Sequence, residues 1–453
     1  MFAKAADESS VDKKGGQWMD SIESVAAEKK AAVKKGYSIT TYRFRLYRKH
    51  PEWFVSTKEM YCKVADFYLR LILDREFIHM SDYELQRRVE VLTQGDKKQG
   101  ICAECPMPYG KVPLYFRRAA LREAAAAVKG YISRSSRQPE GLQAASVPRG
   151  LDTSPVYYKG MYRNLDLIEN KIELKLYNGT EWKWSVYRFT MDGREIPEGA
   201  ELMSPTIKIE EKQIFLHFPV KQTVEDVRTV KERAGERYLA VSLQLGDVFA
   251  ACVAETPSIE EVSLVENRRI CMVHGGKKFC HRRNLLEERL KQLIRETEAM
   301  DGAAAREEQQ REKLRRLIKQ QAHQVSREIV DFACKEGCKV IAVPDYQGNP
   351  DFDRKPYLSS STYDWIGRRI IEYTAYKSFQ KGIVLCRIPV KGISENCSRC
   401  GARIKRYNEG HAPGEGYLGG RIYICPNGHR GNTALNTAEN VGIRYREMYQ
   451  KEK

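Results

Sequence analysis

Between residues 40 and 47 apolar and polar positions alternate. The run Thr40-Thr41-Tyr42-Arg43-Phe44-Arg45-Leu46-Tyr47 predicts a strand with basic residues on one face. The spacing then becomes helical: Met60, Val64, Phe67 and Leu71 follow Ser56-Thr57-Lys58-Glu59, which has the form of a capping box. Ser81 with Glu84 repeats that form, and Leu85, Val89 and Leu92 continue the period. A third helix is expected over about 114–133, so residues 51–135 read as a small helical domain. From 155 to 220 the period shortens to two again. Ile172 to Tyr177 ends at Asn178-Gly179, a hairpin signal, and Trp182 to Tyr187 follows, then Asp192-Gly193. Thr206 to Glu210 and Gln213 to Pro219 complete the series. Strands this closely spaced predict a small barrel or sandwich, and the strand at 40–47 fits the same unit with the helical domain inserted.

Residues 237–255, RYLAVSLQLGDVFAACVAE, read as a buried strand pair. A long charged helical stretch occupies about 283–335, with a break at Gly302. Lys339 to Val343 is an apolar strand, 359–381 a helix carrying Arg368, Arg369 and Lys377, and 382–389 another strand. This alternation predicts a layered α/β domain. The first 36 residues are polar and Lys-rich and read as a flexible tail, and 135–155 read as a polar linker.

Charge adds a partner class. Among 453 residues, 77 Lys and Arg stand against 60 Asp and Glu, a formal excess of +17 that favours a polyanion. The stretch 109–150 concentrates it in Lys111, Arg117, Arg118, Arg122, Lys129, Arg134, Arg137 and Arg149, with Tyr115, Phe116 and Tyr131 interleaved. A surface that tracks phosphates has this pattern, and so does a solvated helix. The length suggests two to four domains. No run of 18 apolar residues is present, which argues against a helical membrane span. The N-terminus has no apolar signal core. Twelve scattered Cys argue for a reducing, cytoplasmic compartment rather than a disulfide scaffold.

The cysteines also carry chemistry. Cys397-Ser398-Arg399-Cys400 is a C-x2-C knuckle, and Cys425-Pro426-Asn427-Gly428-His429 lies further on. Three thiolates and an imidazole can close a tetrahedron around structural zinc. The polar, Gly-rich segment 406–420 between them needs such an anchor to fold. His429 is the expected fourth ligand and His411 its rival. Cys102 and Cys105 form a second C-x2-C without a partner pair, more in keeping with two ordinary loop thiols.

The run from Cys425 to Gly442, CPNGHRGNTALNTAENVG, resembles the last motif of TnpB transposon proteins and compact type V CRISPR effectors: a zinc knuckle, a short turn, then D-x-N-A-x-x-N-I. The similarity covers 236–445. It implies a multidomain α+β fold, with a flexible tail at 1–36 and a first wedge strand at 37–50. A helical recognition domain at 51–150 would be inserted in a wedge β-barrel completed by 151–235. A RuvC-like, ribonuclease-H-type domain at 236–392 and 431–453 would carry a zinc-binding target-nucleic-acid domain at 393–430.

Members of that family bind a guide RNA, open DNA beside a short adjacent motif, and cut with three acids that hold two Mg²⁺ ions. This chain departs from the pattern at each acid. In Val241-Ser242-Leu243-Gln244-Leu245-Gly246, Ser242 stands where the family has Asp. In Val340-Ile341-Ala342-Val343-Pro344-Asp345, Pro344 occupies the Glu position. Ala434 replaces the last Asp. Hydroxyl, ring and methyl do not hold Mg²⁺, so no catalytic Mg²⁺ is expected. The resemblance therefore implies a nuclease-inactive, RNA-guided DNA-binding protein that silences or marks its target by occupancy. Its partners would be guide RNA and target double-stranded DNA. A transcription or transposition factor and a second copy of the chain stay open as further partners. The expected nucleic-acid contacts are Arg43, Arg45, Lys111, Arg117, Arg118, Arg122, Lys129, Arg368, Arg369 and Lys377. Two alternatives remain. One is an active endonuclease with relocated acids, for which Asp345, Asp247 and Glu439 are the candidates. The other is a guide-free, zinc-containing protein that binds transposon ends.

Overall fold

The computed structural model describes residues 35–449, except 76, 78, 79, 97, 98, 136–149, 192, 194, 211, 212, 245–247, 257–267, 298–303, 346–365 and 415–418. The tail expected over the first 36 residues (all but its last two), most of the linker, Asp192, Asp247 and the break at Gly302 lie outside the described residues. The chain divides into two compact units, Ile39–Gln222 and the remainder.

In the first unit, β1 (Gly36–Leu46) alternates buried Phe44 and Leu46 with Arg43 and exposed Arg45. Helices α1 (Pro51–Asp74), α2 (Asp82–Gln94) and α3 (Leu114–Ser135) follow, then β2 (Tyr162–Asp166), β3 (Lys171–Tyr177), β4 (Trp182–Met191), β5 (Glu201–Leu202), β6 (Thr206–Glu210) and β7 (Gln213–Val224). The strands form one sheet in the order β2-β3-β4-β1-β7-β5, with β6 also on β7. β1 thus lies at the centre of a sheet whose other strands come after the helices.

The expected barrel is not closed. β7 takes two partners along its length, β6 at Gln213–His217 and β5 at Val220–Lys221, and no described pairing joins β2 to that end. The apolar face is covered by helices instead of by the sheet curling on itself. Phe54 of α1 meets Tyr187 edge-on at 5.1 Å, and Phe116 of α3 meets Trp182 at 4.7 Å. With that face already buried, closure has no remaining apolar surface to remove from water.

The two capping boxes part ways. Ser81 and Glu84 bond each other's backbone reciprocally and start α2. Ser56 and Glu59 lie inside α1, which begins at Pro51, a residue suited to a first helical turn because its missing N–H costs nothing there. The Thr57 hydroxyl instead donates to the Trp53 carbonyl at 2.6 Å and accepts the Tyr177 N–H at 2.9 Å, tying α1 to β3.

The second unit is built on a five-stranded sheet, β10-β9-β8-β11-β12. β8 (Tyr238–Leu243), β9 (Val248–Glu255) and β10 (Arg269–His274) are antiparallel. β11 (Val340–Asp345) and β12 (Val384–Pro389) extend the other side in parallel with β8. Side-chain alternation gives the sheet two buried faces. Leu239, Val241, Ile341 and Val343 pack with α4 (Gly276–Thr297), α5 (Ala304–Lys335) and α6 (Ile366–Gln380). Tyr238, Ala240, Val340 and Ala342 pack with Val441 and Tyr445 of α7 (Thr433–Tyr449). Gly442 lets α7 lie this close: a Cβ there would stand 3.1 Å from the Tyr238 hydroxyl and 3.3 Å from the Ala240 Cβ. A small sheet of β13 (Lys405–Tyr407), β14 (Ile422–Ile424) and β15 (Arg430–Asn432) sits between β12 and α7 in the sequence. No described helix is long and apolar enough to cross a membrane.

Phe44 is fully buried, stacked on Phe189 at 4.7 Å and against Phe218 at 4.8 Å. Phe44→Ala is expected to cost about 3–5 kcal/mol, read from the urea unfolding transition of the full chain. A loss under about 1 kcal/mol would contradict this packing.

Candidate metal centre and the RuvC-like positions

Two tight turns bring four ligands together. The Cys397 N–H donates to the Ala402 carbonyl and the Gly401 N–H to the Cys397 carbonyl, both at 2.8 Å, and Gly401 takes the left-handed φ of +73° that this knuckle requires. In the second turn the Cys425 N–H donates to the His429 carbonyl at 2.9 Å. The β13–β14–β15 pairing sets one turn against the other. Cys397, Cys400, Cys425 and His429 then hold their ligand atoms within 4.8 Å of one another. Among the described residues this is the one group of three or more His, Cys, Asp or Glu side chains close enough to share a metal ion.

The spacing fits a tetrahedral ion. Zn–S bonds of about 2.3 Å at tetrahedral angles put sulfurs roughly 3.8 Å apart. The Cys400 and Cys425 sulfurs are 3.7 Å apart, and His429 Nδ1 is 3.7 Å from Cys397 Sγ and 3.5 Å from Cys425 Sγ. These distances are too long for a disulfide, whose sulfurs lie about 2.05 Å apart, and the cysteines are free. The backbone N–H of Ala402 draws the Cys400 thiol down to about 6, toward the thiolate that a metal needs, while burial pushes Cys397 up. His411 is exposed in a turn and takes no part in the group.

By strand alternation Ser242 and Pro344 belong to the α7 side of the larger sheet, and Ala434 lies in the first turn of α7. The β8–β11 register pairs Ala240 with Ala342, and by strand alternation Ser242 and Pro344 each share the face of these alanines on their own strands. Across the other edge Ser242 pairs with Ala251, and Ala251 packs against Ala434 at the start of α7. Ser242 is fully buried, and its hydroxyl accepts from Gln244 Nε2 at 2.9 Å. Among the described residues, Ser242 is therefore flanked by the small apolar side chains of Ala251 and Ala434 and by the Gln244 amide.

The described candidate acids have other partners. Asp345 shares the face of Ile341 and Val343, opposite Pro344, and lies 3.5 Å from Arg387. Glu439 pairs with Arg268 and accepts from the Ser398 hydroxyl. Sequence reading missed the group that follows: Glu255 accepts from the Tyr238 hydroxyl at 2.6 Å and from Arg446 at 2.7 Å, with Arg268 at 3.4 Å. No local pattern announces it, because its members come from β8, β9, α7 and the residue before β10.

The basic residues separate into engaged and available. Lys377 donates to the His323 carbonyl at 2.6 Å and the Ser326 hydroxyl at 2.7 Å, fastening α6 to α5. Arg118 binds Glu90 with both prongs at 2.6 and 3.0 Å, and Lys129 pairs with Asp82. Arg43 pairs with Glu210 at 2.8 Å and lies over the Phe215 ring at 4.2 Å. Arg122, though exposed, hydrogen-bonds Tyr158. Arg117, Arg368 and Arg369 are half-buried, and the Arg369 guanidinium reaches the Tyr373 hydroxyl at 3.5 Å. Arg45 and Lys111 are exposed. Arg45 lines an open cavity of about 500 Å³ with Tyr47 and Arg48, and Lys111 lines one of about 420 Å³ with Tyr177 and Trp182.

A mixed antiparallel and parallel sheet with helices on one face, α7 on the other and a Cys3His group leading into α7 defines a layered α/β domain with a small Cys/His-bearing insertion. Known proteins share this plan. The chain matches the mini-RNA-guided endonuclease CRISPR-Cas phi3 over 96% of its own length and 97% of that chain, with a TM-score of 0.53 and 8% identity. It is 30% identical over 184 residues to the CRISPR-associated endodeoxyribonuclease Cas12f1 of Sulfoacidibacillus thermotolerans. That match covers 40% of this chain and only 36% of the relative's length. The Aq_aa04 family model matches residues 38–178. The chain is thus similar in fold to one compact CRISPR endonuclease over nearly its whole length, and similar in sequence to another over less than half of it.

The metal centre makes a direct prediction. The protein is expected to carry one tightly bound metal ion per chain by elemental analysis. Cys425→Ser should abolish it and His411→Ala should leave it in place. Affinity should fall as pH falls, because protons compete for the thiolates and imidazole.

Proposed function

We propose that this chain is a guide-RNA-directed DNA-binding protein that holds its target without cutting it. The observation that carries this reading is the chemistry among the described residues around Ser242 and Ala434: a buried neutral hydroxyl beside apolar side chains, with Asp345 on the face of its strand opposite Pro344. Two divalent ions brought there would repel each other with no carboxylate between them, and Mg²⁺ demands anionic or water oxygens in octahedral array. The proteins it resembles are named as endonucleases, so the fold would be retained and the phosphodiester chemistry lost.

In this reading base pairing with the guide supplies sequence specificity, and the protein recognises duplex geometry and a short adjacent motif. The helical segment 51–150 acts as recognition domain, 37–50 with 151–235 as wedge, and 236–392 with 431–453 as the RuvC-like platform. Zinc at Cys397, Cys400, Cys425 and His429 holds the target-nucleic-acid segment 393–430 in its fold. Exposed cations such as Arg45 and Lys111 bind phosphates, which makes affinity fall steeply with salt. An R-loop held this way blocks polymerase, or recruits a partner, in a prokaryotic cytoplasm.

One finding favours a rival reading. The 30% identity is to an endodeoxyribonuclease, and acids such as Asp247 and Asp351 lie beyond the described residues. An active enzyme with relocated acids would use them.

The test is the native complex. Protein purified from its host is expected to bring down a discrete RNA, and with it to retain labelled target DNA in Mg²⁺ without cutting it. Target cleavage that disappears in Asp247→Ala or Asp345→Ala would establish the rival. RNA-free protein that still binds DNA in a sequence-specific way would favour a guide-free DNA-binding role.

A further inference from the structure

The segment joining β12 to the metal knuckle has no strand or helix, yet all of its backbone carbonyls from Pro389 to Asn396 have donors. Three are local or come from the small sheet. Val390 accepts from the Ile393 N–H, Gly392 from the Glu395 N–H and Glu395 from the Ile404 N–H. Ser394 accepts from the Arg406 guanidinium. The remaining four take theirs from α7. Arg444 donates to Pro389 at 2.6 Å and also to Lys391. Asn440 Nδ2 donates to Ile393 at 2.9 Å and Asn396 at 2.8 Å, and Asn436 Nδ2 donates to Asn396 at 2.8 Å. Asn436 also accepts the Ser398 N–H at 2.8 Å, inside the C-x2-C turn itself.

These donors stand at 436, 440 and 444, successive i, i+4 positions that form one stripe along the helix. A neighbouring stripe, Ala434, Ala438, Val441 and Tyr445, packs on the sheet. One helix therefore faces the sheet with its apolar side and the knuckle's lead-in with its amide side. Asn436 and Asn440 are 1% and 9% exposed, which makes a lost bond costly, because the orphaned carbonyl has little water to turn to. A carboxylate at either position could not donate, and an alkyl group could neither donate nor accept.

We propose that Asn436, Asn440 and Arg444 are positioning residues of the metal centre. They staple 389–396 along α7, so that Cys397 and Cys400 are presented from the five-stranded sheet at a fixed angle rather than on a free tether. The two asparagines that carry the family resemblance thus have work that needs neither the acid absent at Ala434 nor any DNA cleavage. The proposal rests on the metal reading of the Cys3His group for its affinity effect, but not for the stapling itself.

Hydrogen exchange on the full-length protein, with zinc(II) affinity measured against a competing chelator, tests it. The Asn436→Ala/Asn440→Ala double variant is expected to speed amide exchange over 396–404 about tenfold, the size set by losing a net hydrogen bond or two. It should weaken zinc about 10–100-fold, as losses behind metal ligands do. Asn436→Asp, which keeps the acceptor for Ser398 but loses the donor to Asn396, should fall between, and it serves where the double variant fails to fold. Val441→Ala, on the sheet side of α7, is the control. It should lower global stability while leaving exchange over 396–404 and zinc affinity near wild type. Unchanged exchange over 396–404 in the Asn variants, or an equal change in Val441→Ala, overturns the proposal. A wild-type chain that takes up no zinc would sink the metal reading alone, and the exchange comparison would still decide the stapling.

Discussion

The parallel register between β8 and β11 governs what the second unit can do. It sets Ala240 beside Ala342, and alternation gives Ser242 and Pro344 the same α7 side on their own strands. Because adjacent side chains on a strand point to opposite faces, the same register sends Asp345 to the helix side of the sheet. A one-residue slip would send every apolar side chain to the opposite buried face, where it would not fit its neighbours, so packing holds that carboxylate where it is. The character of the α7 face among the described residues follows from this: buried and small around Ser242, Ala251 and Ala434.

The charges that do lie near this face are paired among themselves. Glu255 is shared by Tyr238, Arg446 and Arg268, and Glu439 by Arg268 and Ser398. Such groups fix the edge of β9 and β10 to α7. They need no added cation, because the guanidinium groups already supply the positive charge. An ion-binding pocket works the other way, holding carboxylates whose repulsion only a metal relieves. On the same helix, the Cys3His group offers soft thiolates in tetrahedral spacing, a donor set for a structural ion.

α7 is the element on which both features converge. Its apolar stripe closes one face of the sheet, and its amide stripe holds the chain leading into Cys397. Packing and metal ligation are therefore coupled through a single helix. The angle of the knuckle is thereby set by the core and not by a loop.

Much of this plan was legible in the chain itself. The C-x2-C and C-x3-H spacings named the four side chains that the structure brings together, because short turns leave little choice of geometry. The alternation in 237–255 and 339–343 revealed strands buried on both faces, and the motif around Asn436 carried the family resemblance. Other features depended on contacts between distant residues. The Ser56–Glu59 pattern matched a cap, yet α1 starts earlier, at Pro51, and Thr57 bonds β3 instead. The short strands suggested a barrel, but helices α1 and α3 cover the apolar face and the sheet stays open. Lys377 and Arg118 looked like phosphate contacts, and each has a partner inside the fold that no sequence spacing reveals. The sequence by itself determined periodicity, the spacing of the Cys and His residues, and the identity of the residues at 242, 344 and 434, because those are local properties of residue type and order. Only the tertiary structure decided which face Asp345 occupies, which cations are engaged and what holds the metal knuckle. Those depend on register and packing between segments far apart in the chain.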